Sequence, residues 1–321
     1  MEGILGFRGG VIMTQANIVR KTYSKKKMKV LKNWQGFLFS CFPVLRFAIF
    51  GFIPLVVGLL MAFLPMKFNF DVFVAMEQGF TLDNFKEVLS DPIFWKSIGN
   101  TFYLALSWFI SMAIALVVSI LLTKEIKGKP FYRTVYFIPF ICSLVAVTLM
   151  WNVILDYKYG VANNLIEWLS GTRINWKGDS KWYRFGLICM TVWSTTGYKI
   201  IILTAALTSV NKNLYEAASL DGANAVEKVF NITLPAISPT IFYLFVTGLI
   251  DVLQEFTRSQ VWDKNGGPNS TGMTMVFYLY REAFTYSNMG TASAVAWILS
   301  IMILLITILN FALSKKWVNY D

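Results

Sequence analysis

FAIFGFIPLVVGLLMAFL, residues 47–64, is an apolar stretch without a charged residue, and it decides the fold class of the chain. An α-helix rises about 1.5 Å per residue, so about 20 apolar residues cross the roughly 30 Å of hydrocarbon in a bilayer. Extended upstream, this stretch is the first of six such segments: 37–64, 98–123, 134–155, 184–208, 239–262 and 286–314. We therefore predict an all-α, polytopic integral membrane protein with six transmembrane helices.

The composition supports a membrane protein and excludes several other classes. Of the 321 residues, 56% are hydrophobic and only 15% are charged, which is more apolar surface than a soluble core needs. The net charge is +11, but Lys and Arg collect at the ends of apolar segments and form no nucleic-acid-binding motif. There is no histidine, and Cys41, Cys142 and Cys189 lie in predicted spans. We expect no metal site, no disulfide framework and no nucleic acid partner.

Basic residues near the chain termini predict the orientation in the membrane. Residues 1–35 contain eight Lys or Arg and one acid, and the loop at 124–133 contains four basic residues and one acid. Lys and Arg accumulate on the cytoplasmic side of membranes, so we expect both termini to be cytoplasmic. The first apolar segment is too long for a signal peptide and is followed by no A-x-A cleavage site, so we expect it to remain as a span.

This orientation predicts the organisation of the chain. It comprises a cytoplasmic basic segment 1–36, a first transmembrane helix and extracellular loop 37–97, a core transmembrane domain 98–314 with a cytoplasmic loop 209–238, and a cytoplasmic tail 315–321.

EAASLDGANAVEKVFNITLP, residues 216–235, lies within that cytoplasmic loop. Asn213 with Glu216, and Asn224 with Glu227, have the spacing of a capping box, which predicts two short helices.

Gly222 lies between these two helices, where a positive φ ends the first one. Pro235 is predicted to end the second helix by disfavouring a helical Leu234. Ala217 and Ala218 leave one side of the first helix flat. The spacing alone leaves two interpretations open: a docking surface for another protein, or helices that lie on the bilayer interface.

The same stretch resembles a known sequence signature, the EAA loop of binding-protein-dependent ABC importer permeases. The matching residues are Glu216, Ala217, Ala218, Asp221, Gly222, Ala223, Phe230, Ile232, Leu234, Pro235 and Pro239. Residues 91–101, 131–140 and 265–284 also resemble segments of the carbohydrate (maltose-type) permeases of this family. The resemblance implies the type I ABC importer permease fold. It also implies that the EAA loop, residues 209–238, couples to a cytoplasmic ATPase through Glu216, Ala217, Ala218, Asp221, Gly222, Ala223 and Pro235.

The resemblance further implies a multi-pass protein of the bacterial cytoplasmic membrane and a set of partners. These are a second, homologous permease subunit, two cytoplasmic ATP-binding subunits, an extracellular solute-binding protein and a carbohydrate substrate, most simply a di- or oligosaccharide. Glycerol phosphates and modified sugars stay open as solutes, because the predicted outside loops are close to charge-balanced. The chain itself contains no G-x-x-x-x-G-K-[ST] phosphate loop. We therefore expect a transport subunit without catalysis or a cofactor of its own, with ATP and Mg bound by the partner subunits.

Two acids in the fifth predicted span are candidates for the substrate pathway. Asp251 and Glu255 are one helical turn apart, which predicts that they share a helix face, and Arg258 follows. Charged groups inside a span face a cavity or each other, so two interpretations remain open. Either the acids line a solute cavity, or Glu255 pairs with Arg258 and holds helices together. A proton relay is a third interpretation.

The fourth predicted span carries aromatic and hydroxyl side chains suited to a sugar. Trp193 and Tyr198 resemble the aromatic positions of the sugar site in the maltose-type permeases, and Thr195 lies between them. The alternative is that these aromatic residues serve packing or the membrane interface. Lys199 needs a partner inside the span, and Asp251 is one candidate.

Two other function classes compete with the importer. An ion-coupled secondary solute carrier would use Asp251 or Glu255 as an ion site, but it predicts internal repeats, and no convincing repeat is present. A membrane-embedded enzyme needs a nucleophile, base or metal constellation, and a chain without histidine presents none.

Overall fold

The structure is a computed structural model that describes residues 25–67, 71–123 and 127–319. Its α-helices are α1 Lys25–Phe47, α2 Ile53–Ala62, α3 Val72–Glu77, α4 Asp83–Ser90, α5 Pro92–Thr123, α6 Lys129–Ile141, α7 Leu144–Ile154, α8 Val161–Ser170, α9 Ser180–Ser209, α10 Lys212–Leu220, α11 Ala225–Lys228, α12 Leu234–Ala236, α13 Ser238–Leu253, α14 Thr257–Trp262, α15 Met275–Tyr280 and α16 Met289–Ser314. Three π-helical turns, Ala48–Phe52, Val229–Thr233 and Arg281–Thr285, and one 3₁₀ turn, Pro268–Ser270, complete the set.

The chain divides into two compact units, Met1–Val56 and Val57–Asp321. Most of the predicted basic segment 1–36, part of the 124–133 loop and the end of the tail lie outside the described residues. Within the described ranges the regular structure is helical, apart from one isolated bridge between Lys67 and Asn288.

Five helical segments are long and apolar enough to cross a membrane. They are Gly36–Ala62, Pro92–Thr123, Ser180–Ser209, Ser238–Trp262 and Met289–Ser314. They coincide with five of the six predicted spans, which confirms the all-α, membrane-spanning fold. Several extend beyond the predicted bounds, because a helix continues outside the bilayer wherever its residues pack or have good helix propensity.

The third predicted span, 134–155, is broken rather than straight. Helices α6 and α7 meet at Cys142 and Ser143 and are bent by 100°. Both residues have extended backbone angles, with ψ of 146° at Cys142 and 132° at Ser143, so the helix cannot continue through them. The predicted segment thus consists of two helices, and the described chain has six candidate spans if this bent pair counts as one. The apolar run continues across a break that hydrophobicity does not mark.

The core of the Val57–Asp321 unit is built around α5 and α9, which pack most extensively against each other. Helix α13 packs onto α5 at a close approach between Gly248 and Trp108. A Cβ atom at position 248 would lie 2.2 Å from the Trp108 Nε1 atom, so only glycine fits there. The indole N–H of Trp108 donates to the Leu244 carbonyl at 3.2 Å, which fixes the ring against α13.

The loop at 156–183 forms a small lobe organised by one asparagine. Asn163 is fully buried, and its Nδ2 atom donates to the Asp156, Tyr157 and Ile174 carbonyls. Its Oδ1 atom accepts from the Ile174 N–H at 3.0 Å and the Trp176 indole N–H at 3.2 Å. One side chain therefore joins both ends of this lobe to α8.

An ion pair on the surface of the lobe adds a second link. Arg173 Nη2 lies 2.6 Å from Glu167 Oε2, and Arg173 Nη1 donates to the Tyr157 and Lys158 carbonyls. The hydrogen bond from Arg173 lowers the pKa of the Glu167 carboxyl below its ordinary value. The exposed ion pair contributes little to stability, since exposed charges are screened by solvent.

Replacing Asn163 with alanine should destabilise this lobe, because the Ile174 and Trp176 N–H groups lose a buried acceptor. We expect a loss of about 2–3 kcal/mol of local stability. The measurement is thermal unfolding of the purified protein in detergent, monitored by the near-UV circular dichroism of the tryptophans. Asn164→Ala is the matched control, because Asn164 is exposed and makes only one long contact, 3.4 Å to Arg173. Equal unfolding temperatures for the two variants would contradict the role of Asn163.

Candidate functional site

The first helix of the EAA loop begins two residues earlier than predicted. Helix α10 is capped by Asn211, whose side chain accepts from the Asn213 N–H at 3.0 Å. Asn211 has the extended backbone of an N-cap residue, whereas Asn213 is already helical. The predicted capping box of Asn213 and Glu216 is therefore wrong. Two asparagines with similar capping ability lie in this stretch, and the preceding backbone selects the earlier one.

The second predicted capping box is confirmed. Asn224 Oδ1 accepts from the Val226 and Glu227 N–H groups, and Glu227 Oε2 accepts from the Asn224 N–H at 2.7 Å. Gly222 has φ of +82°, as predicted for the turn that separates the two helices. Nothing lies within 4 Å of a Cβ placed at Gly222, so the conformation rather than space requires glycine there.

Pro235 does not end the second helix, which corrects the prediction. Leu234 is helical, with φ of −62° and ψ of −44°, and Pro235 lies at the start of α12. The π-helical turn Val229–Thr233 directly precedes it. A π turn shifts the carbonyls that face the proline ring, which removes the clash that an uninterrupted α-helix would create. The chain instead changes direction at Ile237, where ψ is 6°.

The EAA loop is internally braced. The Tyr215 and Thr233 hydroxyls share a hydrogen bond of 3.0 Å, which joins α10 to the end of the loop. Lys228 Nζ donates to Ser219 Oγ at 2.8 Å, which joins α10 to α11. These contacts connect residues 9 to 18 positions apart, so the two helices form one unit.

Apolar side chains project from this unit without a partner in the described chain. Leu220 is 90% exposed, and Leu214, Val226 and Phe230 are at least half exposed. Of the seven resemblance-implied coupling residues, Glu216, Ala217, Asp221 and Gly222 are exposed, while Ala218, Ala223 and Pro235 are half-buried. The structure therefore places the EAA signature on one accessible element.

The C-terminal tail holds the base of the EAA loop. The Asn319 N–H donates to Ser238 Oγ at 2.9 Å, and Ser238 Oγ donates to the Pro235 carbonyl at 2.7 Å. Val318 is buried, and the Trp317 ring packs edge-on against Phe242 of α13. The tail thus fixes the point where the loop joins α13.

A cavity of about 270 Å³ lies among α5, α6, α9, α13 and α14. Its lining residues are Ser107, Trp108, Phe140, Thr191, Thr195, Tyr198, Lys199, Thr247, Gly248, Asp251, Val252, Glu255 and Arg258. Four of the five predicted pathway residues, Thr195, Tyr198, Asp251 and Glu255, are among them. The lining is mixed, with aromatic faces, hydroxyls and four charged groups, which suits a hydroxylated solute.

Trp193 lies elsewhere. It packs edge-on against Trp151 at 6.0 Å between ring centroids and lines a separate apolar groove. Positions five residues apart on a helix are separated by about 140° around its axis, so Trp193 and Tyr198 cannot share a face. The structure does not bring these two aromatic residues together.

Tyr198 forms part of an aromatic wall of the cavity. Its ring stacks on Phe140 with centroids 4.9 Å apart and planes 22° apart. Its hydroxyl lies 3.4 Å from the Tyr243 hydroxyl. Phe140 lies two residues before the break between α6 and α7.

Glu255 and Arg258 form an ion pair in the interior. The Glu255 carboxylate also accepts from the Arg258 backbone N–H at 2.8 Å, and Arg258 Nη2 donates to Ser194 Oγ at 2.9 Å. Helix α13 ends at Leu253, so Asp251 and Glu255 do not lie on successive turns of one helix as predicted. The pair ties the segment after α13 to α9, in agreement with the interpretation in which it holds helices together.

Lys199 is buried and is held by hydroxyls rather than by a carboxylate. Its Nζ atom donates to Ser111 Oγ and to Thr195 Oγ1, the latter at 3.2 Å, and lies 5.9 Å from the centre of the Trp108 ring. Asp251 lines the same cavity, although these two described residues form no direct ion pair. Asp251 is exposed.

Several lining residues were not identified from the sequence, including Ser107, Trp108 and Phe140. Ser107 and Ser111 are one turn apart in the second span, and paired serines inside an apolar segment are a signal that can be read from sequence. Phe140 carries no such signal, because it reaches the cavity through the packing of α6 on α9. Across the ranges that the structure describes, no group of His, Cys, Asp or Glu is arranged to hold a metal ion.

Known proteins resemble this chain over most of its length. The family described as binding-protein-dependent transport system inner membrane component matches residues 36–318. The probable ABC transporter permease protein YesP of Bacillus subtilis (strain 168) is 34% identical over 303 residues, which cover 92% of this chain and 96% of YesP. The arabinooligosaccharides transport system permease protein AraP of Halalkalibacterium halodurans is 29% identical over 280 residues, 87% of this chain and 87% of AraP.

A solved structure has the same fold. It is a chain of the crystal structure of a bacterial alginate ABC transporter in complex with an alginate pentasaccharide-bound periplasmic protein. The TM-score is 0.75 at 23% sequence identity, and the match covers 90% of this chain and 96% of that chain.

Substituting Glu255 with glutamine should destabilise the protein by about 3 kcal/mol, because Arg258 is left buried without a counter-charge. Asp251→Asn is the matched control and should leave the unfolding temperature nearly unchanged, since Asp251 is exposed and makes no direct ion pair. Thermal unfolding in detergent measures both. Similar unfolding temperatures for the two variants would show that the Glu255–Arg258 pair does not hold these helices together.

Proposed function

This chain belongs to the family of binding-protein-dependent transport system inner membrane components, and on that premise we propose that it is the permease subunit of an ATP-driven carbohydrate importer. The observation that carries the proposal is the exposed, internally braced EAA loop, which joins directly to α9 and α13. Both of these helices line the same cavity. A force applied to the loop therefore reaches the cavity walls without passing through a flexible connection.

The EAA loop is the proposed contact with the ATPase. Its flat alanine face at Ala217 and Ala218 permits close approach, and Leu220 and Phe230 offer apolar side chains that a cleft would bury. Glu216, Asp221, Gly222, Ala223 and Pro235 complete the proposed coupling surface. Closure of paired ATPase subunits would move the loop as a rigid body and switch the spans between inward-open and outward-open arrangements.

The cavity is the proposed substrate pathway. Asp251 is exposed within a membrane-spanning segment, and an exposed carboxylate there requires water or a polar ligand beside it. Tyr198 and Phe140 present aromatic faces that can stack on the apolar face of a sugar ring, while Thr195 offers a hydroxyl. AraP, a relative named for the transport of arabinooligosaccharides, supports a carbohydrate as the solute.

The remaining parts of the assembly follow from this function. ATP and Mg would be bound by two cytoplasmic ATPase subunits, since the chain carries no phosphate loop of its own. A second, homologous permease subunit would complete the pathway, and an extracellular solute-binding protein would deliver the sugar. Both termini would lie in the cytoplasm, on the same side as the EAA loop.

The test is ATP-dependent uptake in proteoliposomes that contain the complex purified with its neighbouring subunits. Sugars retained by the co-purified binding protein serve as substrates. We expect uptake to require ATP on the side of the liposome membrane where the ATPase subunits lie. A proton or sodium gradient alone should drive no uptake. Gradient-driven uptake by the isolated chain would instead establish an ion-coupled carrier.

Gly222→Val should uncouple ATP hydrolysis from transport. A β-branched residue at φ of +82° is strained by about 1–2 kcal/mol, which distorts the turn between α10 and α11. We expect sugar transported per ATP to fall about tenfold, the ratio that corresponds to about 1.4 kcal/mol. Gly222→Asn is the matched control, since asparagine tolerates positive φ, and it should retain coupling. Normal coupling in the valine variant would remove this turn from the mechanism.

Tyr198→Ala should lower sugar uptake about five- to tenfold, as expected for the loss of one aromatic stacking contact. Trp193→Ala is the comparison, because Trp193 is similarly aromatic but lies outside the cavity. Initial uptake rates at equal amounts of assembled complex provide the measurement. A larger effect at Trp193 than at Tyr198 would place the pathway along the other side of α9.

A further inference from the structure

The charged residues that line the cavity balance to zero. Two are cations, Lys199 and Arg258, and two are carboxylates, Asp251 and Glu255. Arg258 and Glu255 neutralise each other through a direct ion pair. Lys199 and Asp251 line the same cavity, but they form no direct ion pair in the described chain. The cavity therefore contains one closed pair and one open pair of opposite charges.

The two members of the open pair, Lys199 and Asp251, differ in exposure and in hydrogen bonding. Lys199 is only 4% exposed, and its ammonium is held by the hydroxyls of Ser111 and Thr195. A lysine ammonium has three donors, so one remains beyond these two contacts. Asp251 is exposed and accepts no hydrogen bond from the described protein groups around the cavity. One spare donor and one free acceptor thus face the same space.

Sugar hydroxyls can satisfy both groups of the open pair, because a hydroxyl both donates and accepts. One hydroxyl can accept from Lys199 while another donates to Asp251, and neither step adds charge to the site. A sugar carboxylate or phosphate would also be attracted by Lys199. It would then lie beside the unpaired carboxylate of Asp251, and like charges placed together are unfavourable by up to several kcal/mol.

We propose that this cavity selects uncharged, hydroxyl-rich carbohydrates over acidic or phosphorylated ones, and that Lys199 and Asp251 are the residues that determine this specificity. The proposal rests on the proposed function of the chain and deepens it by defining the class of substrate. The open pair binds hydroxyls, and its carboxylate repels an anionic sugar. This repulsion is a source of specificity in addition to the binding of hydroxyls.

The experiment uses the complete permease–ATPase complex without its binding protein, so that only the cavity selects. Two probes are compared: the neutral oligosaccharide retained by the binding protein, and the same oligosaccharide with one terminal C6 hydroxymethyl oxidised to a carboxylate. Direct binding to each is measured by isothermal titration calorimetry. The wild-type complex should bind the neutral probe at least about tenfold more tightly than the acidic probe.

Substitutions should change this ratio in opposite directions. Asp251→Asn removes one negative charge from the cavity and should shift the ratio about tenfold or more toward the acidic probe. Lys199→Gln removes one positive charge and should increase the rejection of the acidic probe. Asp83→Asn is the control, because it makes the same chemical change on α4, away from the cavity, and should leave the ratio unchanged.

The outcomes separate this proposal from the proposed function. An acidic sugar retained by the binding protein and preferred by the wild-type cavity would overturn the selectivity. An unchanged ratio in a folded Asp251→Asn complex would overturn the role of that residue pair. A complex that, after its binding protein is restored, transports neither probe in an ATP-dependent manner would refute the carbohydrate importer itself.

Discussion

Charged side chains inside the fourth and fifth spans need an ion-pair or hydrogen-bond partner. The partners that they find link the helices around the cavity. A charge in hydrocarbon is costly, so such groups face one another or a cavity. Arg258 is compensated by Glu255 and also bonds to Ser194, which links the segment after α13 to α9. Lys199 is compensated by the Ser111 hydroxyl of α5 and by Thr195. The charged members of these contacts, Glu255, Arg258 and Lys199, also line the cavity.

The EAA loop is positioned by its connections to these same helices. It leaves α9 at Ser209 and enters α13 at Ser238, and its base is fixed by the tail through Ser238. The loop exposes apolar residues on its outer side but is braced across its inner side. Under the proposed function, this braced element would carry displacement from the ATPase subunits to the two cavity-lining helices. This geometry is consistent with the coupling role that the EAA signature implies.

Packing decided which predicted residues share a site. Tyr198, Thr195, Asp251 and Glu255 reach one cavity, whereas Trp193 turns to a separate apolar groove because it lies about 140° away around α9. Phe140 joins the cavity wall because α6 packs on α9, where its ring stacks on Tyr198. The interruption after Leu253 brings Glu255 toward Arg258 and Ser194 rather than leaving it on the helix face of Asp251.

The sequence by itself determined the membrane fold and the family. Apolar segments of sufficient length predict spans because hydrocarbon thickness is fixed, and the EAA signature with Gly222 and the Asn224 capping box predicts a helix, a turn and a helix from local chemistry. The tertiary structure alone decided the break at Cys142 and Ser143, the passage of a helix through Pro235, and the membership of the cavity. These features depend on contacts between distant segments, and on backbone adjustments such as the π turn before Pro235, which leave no periodic signal in the residues themselves.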